Sequence, residues 1–227
     1  MIRLHVVVEG ETEENFVRRI LKPYLWRNHE IDANAILVPF NSGARRRAFR
    51  GGITSYAAPR RIIRRKILED TGAYTTTMFD YYGLPDEFPG IGDDKCPPSR
   101  PERVDYIENQ IAQDIGSQRF IPYLQVHEFE ALLFSDVETL DETISVLGVG
   151  SRLAQMQRIV ANFDTPEDIN NDPDTAPSKR LEHHYAGYQK VPFGELVAES
   201  IGLENIRAEC PRFDAWMTKL EGLDPRA

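Results

Sequence analysis

Hydrophobic residues open the chain as one short run and then recur with helical spacing. Residues 2–8 (IRLHVVV) are apolar and partly β-branched, which predicts a buried strand. Gly10 interrupts the run, and residues 35–40 (AILVPF) predict a second strand. Between the two strands, the apolar residues on one predicted helical face are Phe16, Val17, Ile20, Leu21 and Tyr24. A strand, helix, strand order is typical of a parallel sheet.

The next part of the chain continues this alternation of strands and helices. Residues 73–79 (AYTTTMF) predict a third strand, and residues 120–126 (FIPYLQV) predict a fourth. Helices are predicted over residues 59–69 and from Pro101 to about residue 115, where apolar residues again fall on one face. Residues 83–101 are rich in Pro, Gly and Asp and predict a loop.

Beyond Ser135 the pattern predicts short helices separated by turn residues. They cover about residues 151–162, 178–185, 193–200 and 212–220. The predicted fold class is therefore α/β, with a mostly parallel sheet flanked by helices. We expect an α/β core over residues 1–135 and a helical extension over residues 136–227 that packs on this core.

Composition gives few further limits on the class of protein. No stretch approaches the roughly 18–20 apolar residues of a membrane span, and the N-terminal residues lack the long apolar run of a signal peptide. The two cysteines, Cys96 and Cys210, have no metal-binding spacing and do not frame a disulfide scaffold. We expect a cytoplasmic protein.

Charge is distributed unevenly along the chain. The net charge is −9, but residues 41–70 carry +7 and the remainder carries −16. A concentrated basic segment on an acidic body is typical of a protein that binds a polyanion, and it favours DNA or RNA as the partner. A solvated face or a surface for an acidic protein partner is the alternative. The arginines assigned to nucleic-acid contacts are Arg45, Arg46, Arg47, Arg50, Arg60, Arg61, Arg64 and Arg65.

Acidic residues stand at the ends of three predicted strands. Glu9 follows the first strand, Asp80 follows the third, and Glu128 and Glu130 follow the fourth. Ligands of open parallel sheets bind at the carboxyl ends of the strands, so these side chains are expected to converge. Glu13, on the first turn of the helix, can point back to the same edge. Such a group of carboxylates predicts a Mg²⁺ or Mn²⁺ site, although each residue alone could be a helix cap or a solvated charge.

Several sequence strings resemble a known family. VVVEGETEENF resembles the opening motif of Toprim domains, in which a strand ends in Glu-Gly and a second acidic residue follows. MFDYYGLP, HEFEALLFSD and PSKRLEHHYAGYQKVPFG resemble the Toprim-like proteins grouped as domain of unknown function 4276. These proteins are related to the nuclease half of the overcoming-lysogenization-defect proteins. The resemblance spans residues 3 to about 194.

The resemblance implies roles for particular residues. Glu9 matches the Toprim glutamate that acts in acid/base chemistry or holds metal, and Glu13 matches the second acidic position of the nuclease branch. Asp80 matches the first aspartate of the Asp-x-Asp element, but Tyr82 stands where the second aspartate is expected. Our hypothesis is that the Glu128/Glu130 pair supplies the missing metal ligand.

The activity implied by the resemblance is metal-assisted hydrolysis of phosphodiester bonds in DNA or RNA. Lys179, Arg180 and Lys190 could neutralise the phosphate, with Lys179 close to the chemistry; their alternative role is surface charge near a helix end. His127 could be a general base or a metal ligand, or it could be a hydrogen-bonded structural residue.

The resemblance also implies a partner. Proteins of this branch work with a separate ATPase of the ABC/SMC-like class, often in defence against phage. This chain has no GxxxxGK[ST] loop, so nucleotide hydrolysis must come from that partner. The alternative, favoured by Tyr82, is a non-catalytic Toprim-fold subunit that docks on the ATPase. A third alternative is a fragment of a topoisomerase or a primase. A topoisomerase would need a catalytic tyrosine on another domain, and a primase would need a zinc module, for which the cysteines are missing.

Overall fold

The computed structural model of the chain describes residues 1–39, 53–170 and 173–224. Contacts within the chain divide it into two units. The first unit comprises Met1–Leu124 together with Asp224, and the second comprises Gln125–Leu223. The two domains expected from the sequence, 1–135 and 136–227, stay a prediction.

The first unit contains a parallel β-sheet. Its strands are β1 (Ile2–Val8), β2 (Ile31–Leu37), β3 (Ala73–Asp80), β4 (Phe120–Ile121) and β5 (Leu124–Gln125), the last of which ends on the first residue of the second unit. The strand order is β2-β1-β3-β4, and β5 also pairs with β3. The pairings of β1 with β2, of β1 with β3 and of β3 with β4 are all parallel. The predicted α/β fold with a mostly parallel sheet is confirmed.

Helices connect these strands. They are α1 (Glu11–Phe16), α2 (Lys22–His29), α3 (Ala57–Glu69) and α4 (Arg100–Ile115), and a π-helical turn, Val17–Leu21, joins α1 to α2. Left-handed Glu30 (φ 56°) ends α2, so β2 begins immediately after it. The second strand therefore starts earlier than residues 35–40 predicted. The apolar faces of α3 and α4 are buried, as their spacing predicts.

The two central strands, β1 and β3, form the interior of the sheet. Leu4, Val6, Val7 and Val8 of β1 are fully buried. All residues of β3 except its last, Asp80, are buried as well. Along β3 and the second half of β1 both faces are buried. Such strands consist of nearly continuous apolar or β-branched residues, which explains why the sequence predicts both.

The predicted fourth strand is broken into β4 and β5 by Pro122, which has no N–H to donate to the sheet. The buried Thr77 hydroxyl fills the gap. Thr77 Oγ1 donates to the carbonyl of Tyr123 at 2.9 Å and accepts from its N–H at 2.9 Å. The carboxylate of Glu108, which is 9% exposed, accepts the N–H of Leu124 at 2.8 Å. Side chains thus satisfy the backbone where the ladder is interrupted.

The second unit is helical. Its helices are α5 (Val137–Ile144), α6 (Leu153–Val160), α7 (Pro177–His184), α8 (Lys190–Glu209) and α9 (Pro211–Glu221), preceded by a 3₁₀ segment, Phe129–Ser135. Two differences from the prediction have local causes. The unpredicted α5 is capped by Asp136, which accepts the N–H of Thr139 at 2.9 Å. The predicted helix 193–200 is the first part of α8, which bends at Gly202 (φ 79°).

None of the helices in the described ranges is long and apolar enough to cross a membrane.

Asp141 links three parts of the second unit. Its carboxylate accepts hydrogen bonds from Ser151 Oγ at 2.6 Å, from the N–H of Arg152 at 2.6 Å and from the Tyr185 hydroxyl at 2.7 Å. Asp141 is only 4% exposed. Burial raises the pKa of Asp141, but the hydrogen bonds lower it by a larger amount, so the pKa lies below the ordinary value.

We expect Thr77→Val to lower the free energy of unfolding by about 2–3 kcal/mol, because the backbone N–H and carbonyl of Tyr123 lose their hydrogen bonds to the Thr77 hydroxyl in a buried position. Thr77→Ser keeps the hydroxyl and should cost only about 1 kcal/mol for the lost methyl group. Urea unfolding measures the loss, and hydrogen exchange of the Tyr123 amide locates it. Equal losses for the two variants would contradict the assignment.

Asp141→Asn should lower the free energy of unfolding by about 2 kcal/mol at neutral pH, since a charged acceptor of three hydrogen bonds is lost. A folded-state pKa below the unfolded value means that the carboxylate stabilises the protein above about pH 4 and ceases to do so as the pH falls through the folded pKa. The difference between wild type and Asp141→Asn should therefore shrink in acid. Glu142→Gln, on the exposed side of α5, is the control and should change neither quantity.

Candidate functional site

Glu9 and Asp80 lie at the carboxyl edge of the sheet, at the ends of neighbouring strands. The register pairs Val8 of β1 with Met78 of β3. Glu9 comes directly after β1, and its Oε2 accepts the N–H of Asp80, the last residue of β3, at 3.3 Å. Both residues are partly exposed. The structure therefore brings these two predicted site residues together where parallel sheets bind ligands.

Glu13 is attached to the turn that joins β1 to α1. Its Oε2 accepts the N–H of Gly10 at 2.9 Å, which is half of a capping box, and its side chain is buried. A Cβ at Gly10 would lie 3.0 Å from the same oxygen, so a glycine allows the carboxylate to approach the backbone closely. The capping role that the sequence left open for a single acidic residue is thus realised in Glu13.

Tyr82, at the position expected for a second aspartate, lies in the 3₁₀ turn Tyr81–Gly83 and is 43% exposed. A phenol is a poor ligand for a hard cation unless it ionises. Of the positions Asp80 and Tyr82, only Asp80, the last residue of β3, therefore contributes a carboxylate to this edge of the sheet.

The described residues restrict the kind of metal site that the chain could form. Among them, no three or more His, Cys, Asp or Glu side chains form a group that could hold a metal ion. A closed cage of the zinc type is not present in that part of the chain. Mg²⁺, by contrast, is commonly held by one or two carboxylates, with water and substrate phosphates as its other ligands. Glu9 and Asp80 fit this second mode.

The second unit contains a separate polar cluster. Lys190 Nζ, at the start of α8, lies 3.4 Å from Glu128 Oε1 and 3.6 Å from Glu130 Oε2. The other oxygen of Glu128 accepts the N–H of Ser178 at 3.1 Å, in the first turn of α7, where the helix dipole favours an anion. Glu130 is 2% exposed. One ammonium group therefore lies between two largely buried carboxylates.

Two hydroxyl groups of the second unit were not recognised from the sequence. Ser178 is fully buried, Tyr188 is 8% exposed, and neither hydroxyl has a hydrogen-bond partner among the described residues. Burial, followed by the charges of Glu130 and Glu128, raises the pKa of Tyr188 well above its ordinary value, so its hydroxyl is neutral. Both lie within the string PSKRLEHHYAGYQK, but only three-dimensional contacts reveal their proximity to the carboxylates.

His127 directly precedes this cluster in the chain. It is 2% exposed and has a positive φ of 70°, which is uncommon for a residue other than glycine. This conformation turns the chain sharply between β5 and the 3₁₀ segment Phe129–Ser135. A role for His127 in catalysis stays a prediction.

Lys179 and Arg180, on α7, make local contacts. Lys179 is half exposed and pairs with Glu182 at 2.5 Å. Arg180 Nε donates to the carbonyl of Thr175 at 2.7 Å, and its guanidinium lies 5.7 Å from the centre of the Phe163 ring. Their predicted contacts with phosphate, like that of Lys190, stay predictions.

The basic segment is only partly described. The predicted nucleic-acid contacts Arg45, Arg46, Arg47 and Arg50 lie outside the described residues. Arg60, Arg61, Arg64 and Arg65 lie on α3. Arg60 pairs with Asp114 of α4 at 2.7 Å, while Arg61, Arg64 and Arg65 are exposed.

The chain is an α/β protein with a mostly parallel sheet flanked by helices and a helical C-terminal part. The chain belongs to the family described as domain of unknown function DUF4276, whose sequence profile matches residues 8–221. That part of the resemblance is confirmed, and the Toprim assignment stays a prediction. No protein of curated function matches the sequence.

Solved structures of the C-terminal region of the OLD protein from Xanthomonas campestris pv. campestris are similar to this chain. The mercury-phased structure is 16% identical, with a TM-score of 0.44 over 96% of this chain and 98% of that chain. The iodine-phased structure is 17% identical, with a TM-score of 0.45 over the same shares.

Lys190→Met should lower the free energy of unfolding by about 1–3 kcal/mol, because it leaves Glu128 and Glu130 without their shared cation in a poorly hydrated place. Lys179→Met removes a lysine from an exposed pair and should cost less than about 0.5 kcal/mol. Chemical denaturation of both variants measures the difference. Equal stabilities would show that Lys190 does not compensate the buried carboxylates.

Proposed function

We propose that this chain is a nuclease of the Toprim type that uses Mg²⁺ or Mn²⁺ to hydrolyse phosphodiester bonds of DNA or RNA. The observation that supports this proposal best is the contact between Glu9 and Asp80 N at the ends of two adjacent parallel strands. Carboxylates at this edge are suited to a hard cation that bridges the protein and a phosphate. The cation, when bound, would supply charge neutralisation of the phosphate and activation of water.

The residues of the candidate site have distinct tasks in this proposal. Glu9 and Asp80 hold the cation. Glu13 fixes the Gly10 turn, which orients Glu9 relative to α1. Glu128 or Glu130 as a further ligand stays a prediction, as do phosphate contacts by Lys179, Arg180 and Lys190.

Because two carboxylates make a weak site alone, cation affinity should depend on the phosphate ligands that the nucleic acid brings. We therefore propose that the site assembles fully only with substrate. The proposal extends to a partner ATPase of the ABC/SMC-like class and to a role in defence against phage, as the family resemblance implies.

A second candidate function is a non-catalytic subunit that docks on such an ATPase. Tyr82 in place of an aspartate favours it, as does the lack of a group of three potential ligands among the described residues. Under this proposal Glu9 and Asp80 serve the structure of the sheet edge.

The purified full chain should cleave plasmid, linear duplex DNA or total tRNA with Mg²⁺ or Mn²⁺, and not with EDTA. Glu9→Gln and Asp80→Asn should each lower the rate about 100-fold or more, equivalent to ~2.7 kcal/mol, since each removes a charged ligand of the cation. Glu11→Gln is the matched control. Glu11 is an exposed glutamate in the first turn of α1, two residues after Glu9, and this variant should cleave normally.

Calorimetric titration with Mn²⁺, in the presence and absence of a non-cleavable oligonucleotide, distinguishes the two functions. Binding that requires the oligonucleotide and is lost in both variants supports the nuclease even if cleavage awaits a partner. An intact, folded protein that neither cleaves nor binds Mn²⁺ under any of these conditions favours the docking subunit.

A further inference from the structure

An open groove of about 990 Å³ runs beside α3 in the first unit. One wall is α3 itself, and the other comprises Glu87 and Pro89 of the loop before α4 and Asp114 near the end of α4. A helix of 13 residues is about 20 Å long, so the groove is long enough for several turns of a second helix.

Hydrogen bonds join the two walls of the groove. Arg60 Nε and Nη2 donate to the two carboxylate oxygens of Asp114 at 2.7 and 3.0 Å, a bidentate pair. The Tyr56 hydroxyl donates to the same carboxylate at 2.9 Å, and Arg64 Nη2 donates to the Asp114 carbonyl at 2.6 Å. Because these contacts fix α3 to α4, a partner would meet a preorganised surface.

The charge of the groove is mixed. Four arginines line it, but so do Glu69, Glu87 and Asp114. Arg60 is neutralised by Asp114, and Arg65 lies 3.5 Å from Glu69. A nucleic-acid backbone carries a charge at every nucleotide and requires a continuous positive field, which these three carboxylates interrupt. A protein partner carries fewer acidic side chains, and these can lie opposite the arginines alone. Positive charge that remains exposed is concentrated on Arg61 and Arg64.

The groove also carries an apolar element that a nucleic-acid backbone does not use. Leu68 is 78% exposed and lies on the groove wall. Ala57, Arg61, Arg64 and Leu68 follow helical spacing and share one face of α3. Arginine beside aliphatic and aromatic surface, with few lysines, is typical of protein–protein interfaces.

We propose that this groove is a docking site for an amphipathic, acidic helix of a partner protein. Acidic side chains of that helix would pair with Arg61 and Arg64, and an apolar side chain would cover Leu68. The binding mode is the one in which a helix lies in a groove and is recognised through residues one turn apart. This inference goes beyond the nuclease function and does not depend on it.

A labelled helical peptide with leucines on one face and glutamates beside them tests the groove, by fluorescence anisotropy with the full-length protein. We expect Leu68→Ser and Arg61→Glu each to weaken binding about fivefold or more, the effect of losing about 1 kcal/mol at an interface. Arg27→Glu, a charge reversal at an exposed position of α2, is the control and should have no effect. Amide chemical shifts should change mainly along α3 and at Asp114.

Leu68→Ser distinguishes a helical peptide from a nucleic acid. It should weaken binding of the peptide but leave binding of a labelled single-stranded or duplex oligonucleotide unchanged. The proposal is overturned if the peptide does not bind, or if its binding is indifferent to Leu68. It is equally overturned if the oligonucleotide binds through Arg61 and the peptide does not bind. That result would mean that α3 contacts nucleic acid, as the sequence predicts. Cleavage activity enters none of these measurements, so a failed nuclease assay leaves this test intact.

Discussion

The parallel pairing of β1 with β3 is the constraint on which the candidate site in the first unit depends. Its register sets Val8 beside Met78, so the chain leaves both strands at the same edge, and Glu9 reaches the N–H of Asp80. A shift of one residue would move every side chain of a strand to the opposite face of the sheet. Leu4, Val6 and Val8 are fully buried on one face of β1, whereas Arg3 on the other face is exposed, so such a shift would be costly. The apolar strand residues, rather than any contact between carboxylates, therefore keep these two acids together.

Compensation of buried charge is the corresponding constraint in the second unit. Glu128 is held by the first turn of α7 and by Lys190. Glu167 accepts the N–H groups of Arg212 and Phe213 in the first turn of α9. Backbone N–H groups in the first turns of helices thus donate hydrogen bonds to carboxylates that become buried when this acidic chain folds. Burial nevertheless raises the pKa of Glu167, which shows that such donors offset the desolvation only in part.

The sequence predicted those features that local pattern determines. Apolar runs located β1 and β3, and the residues that end them, Glu9 and Asp80, lie together as expected. Contacts between distant residues that do not stand at strand ends could not be predicted in this way. Arg60 and Asp114 are 54 residues apart and Glu128 and Ser178 are 50 apart, and nothing in their neighbours along the chain indicates these pairs. The break at Pro122 was visible as a proline, but the role of Thr77 in repairing it was not.

The basic segment illustrates how charge counted along a sequence differs from charge presented at a surface. Residues 41–70 carry +7, yet on α3 the guanidinium of Arg60 is bonded to Asp114 and that of Arg65 lies close to Glu69. A cation paired with a carboxylate adds little to the field at a distance, and its stem can cover apolar surface instead. Four of the arginines that suggested a polyanion, Arg60, Arg61, Arg64 and Arg65, therefore line a groove whose recognition depends on shape and on Leu68 as much as on charge. A catalytic edge at Glu9 and Asp80 does not require that α3 touch the substrate, because the two surfaces are formed by different residues and can serve different partners.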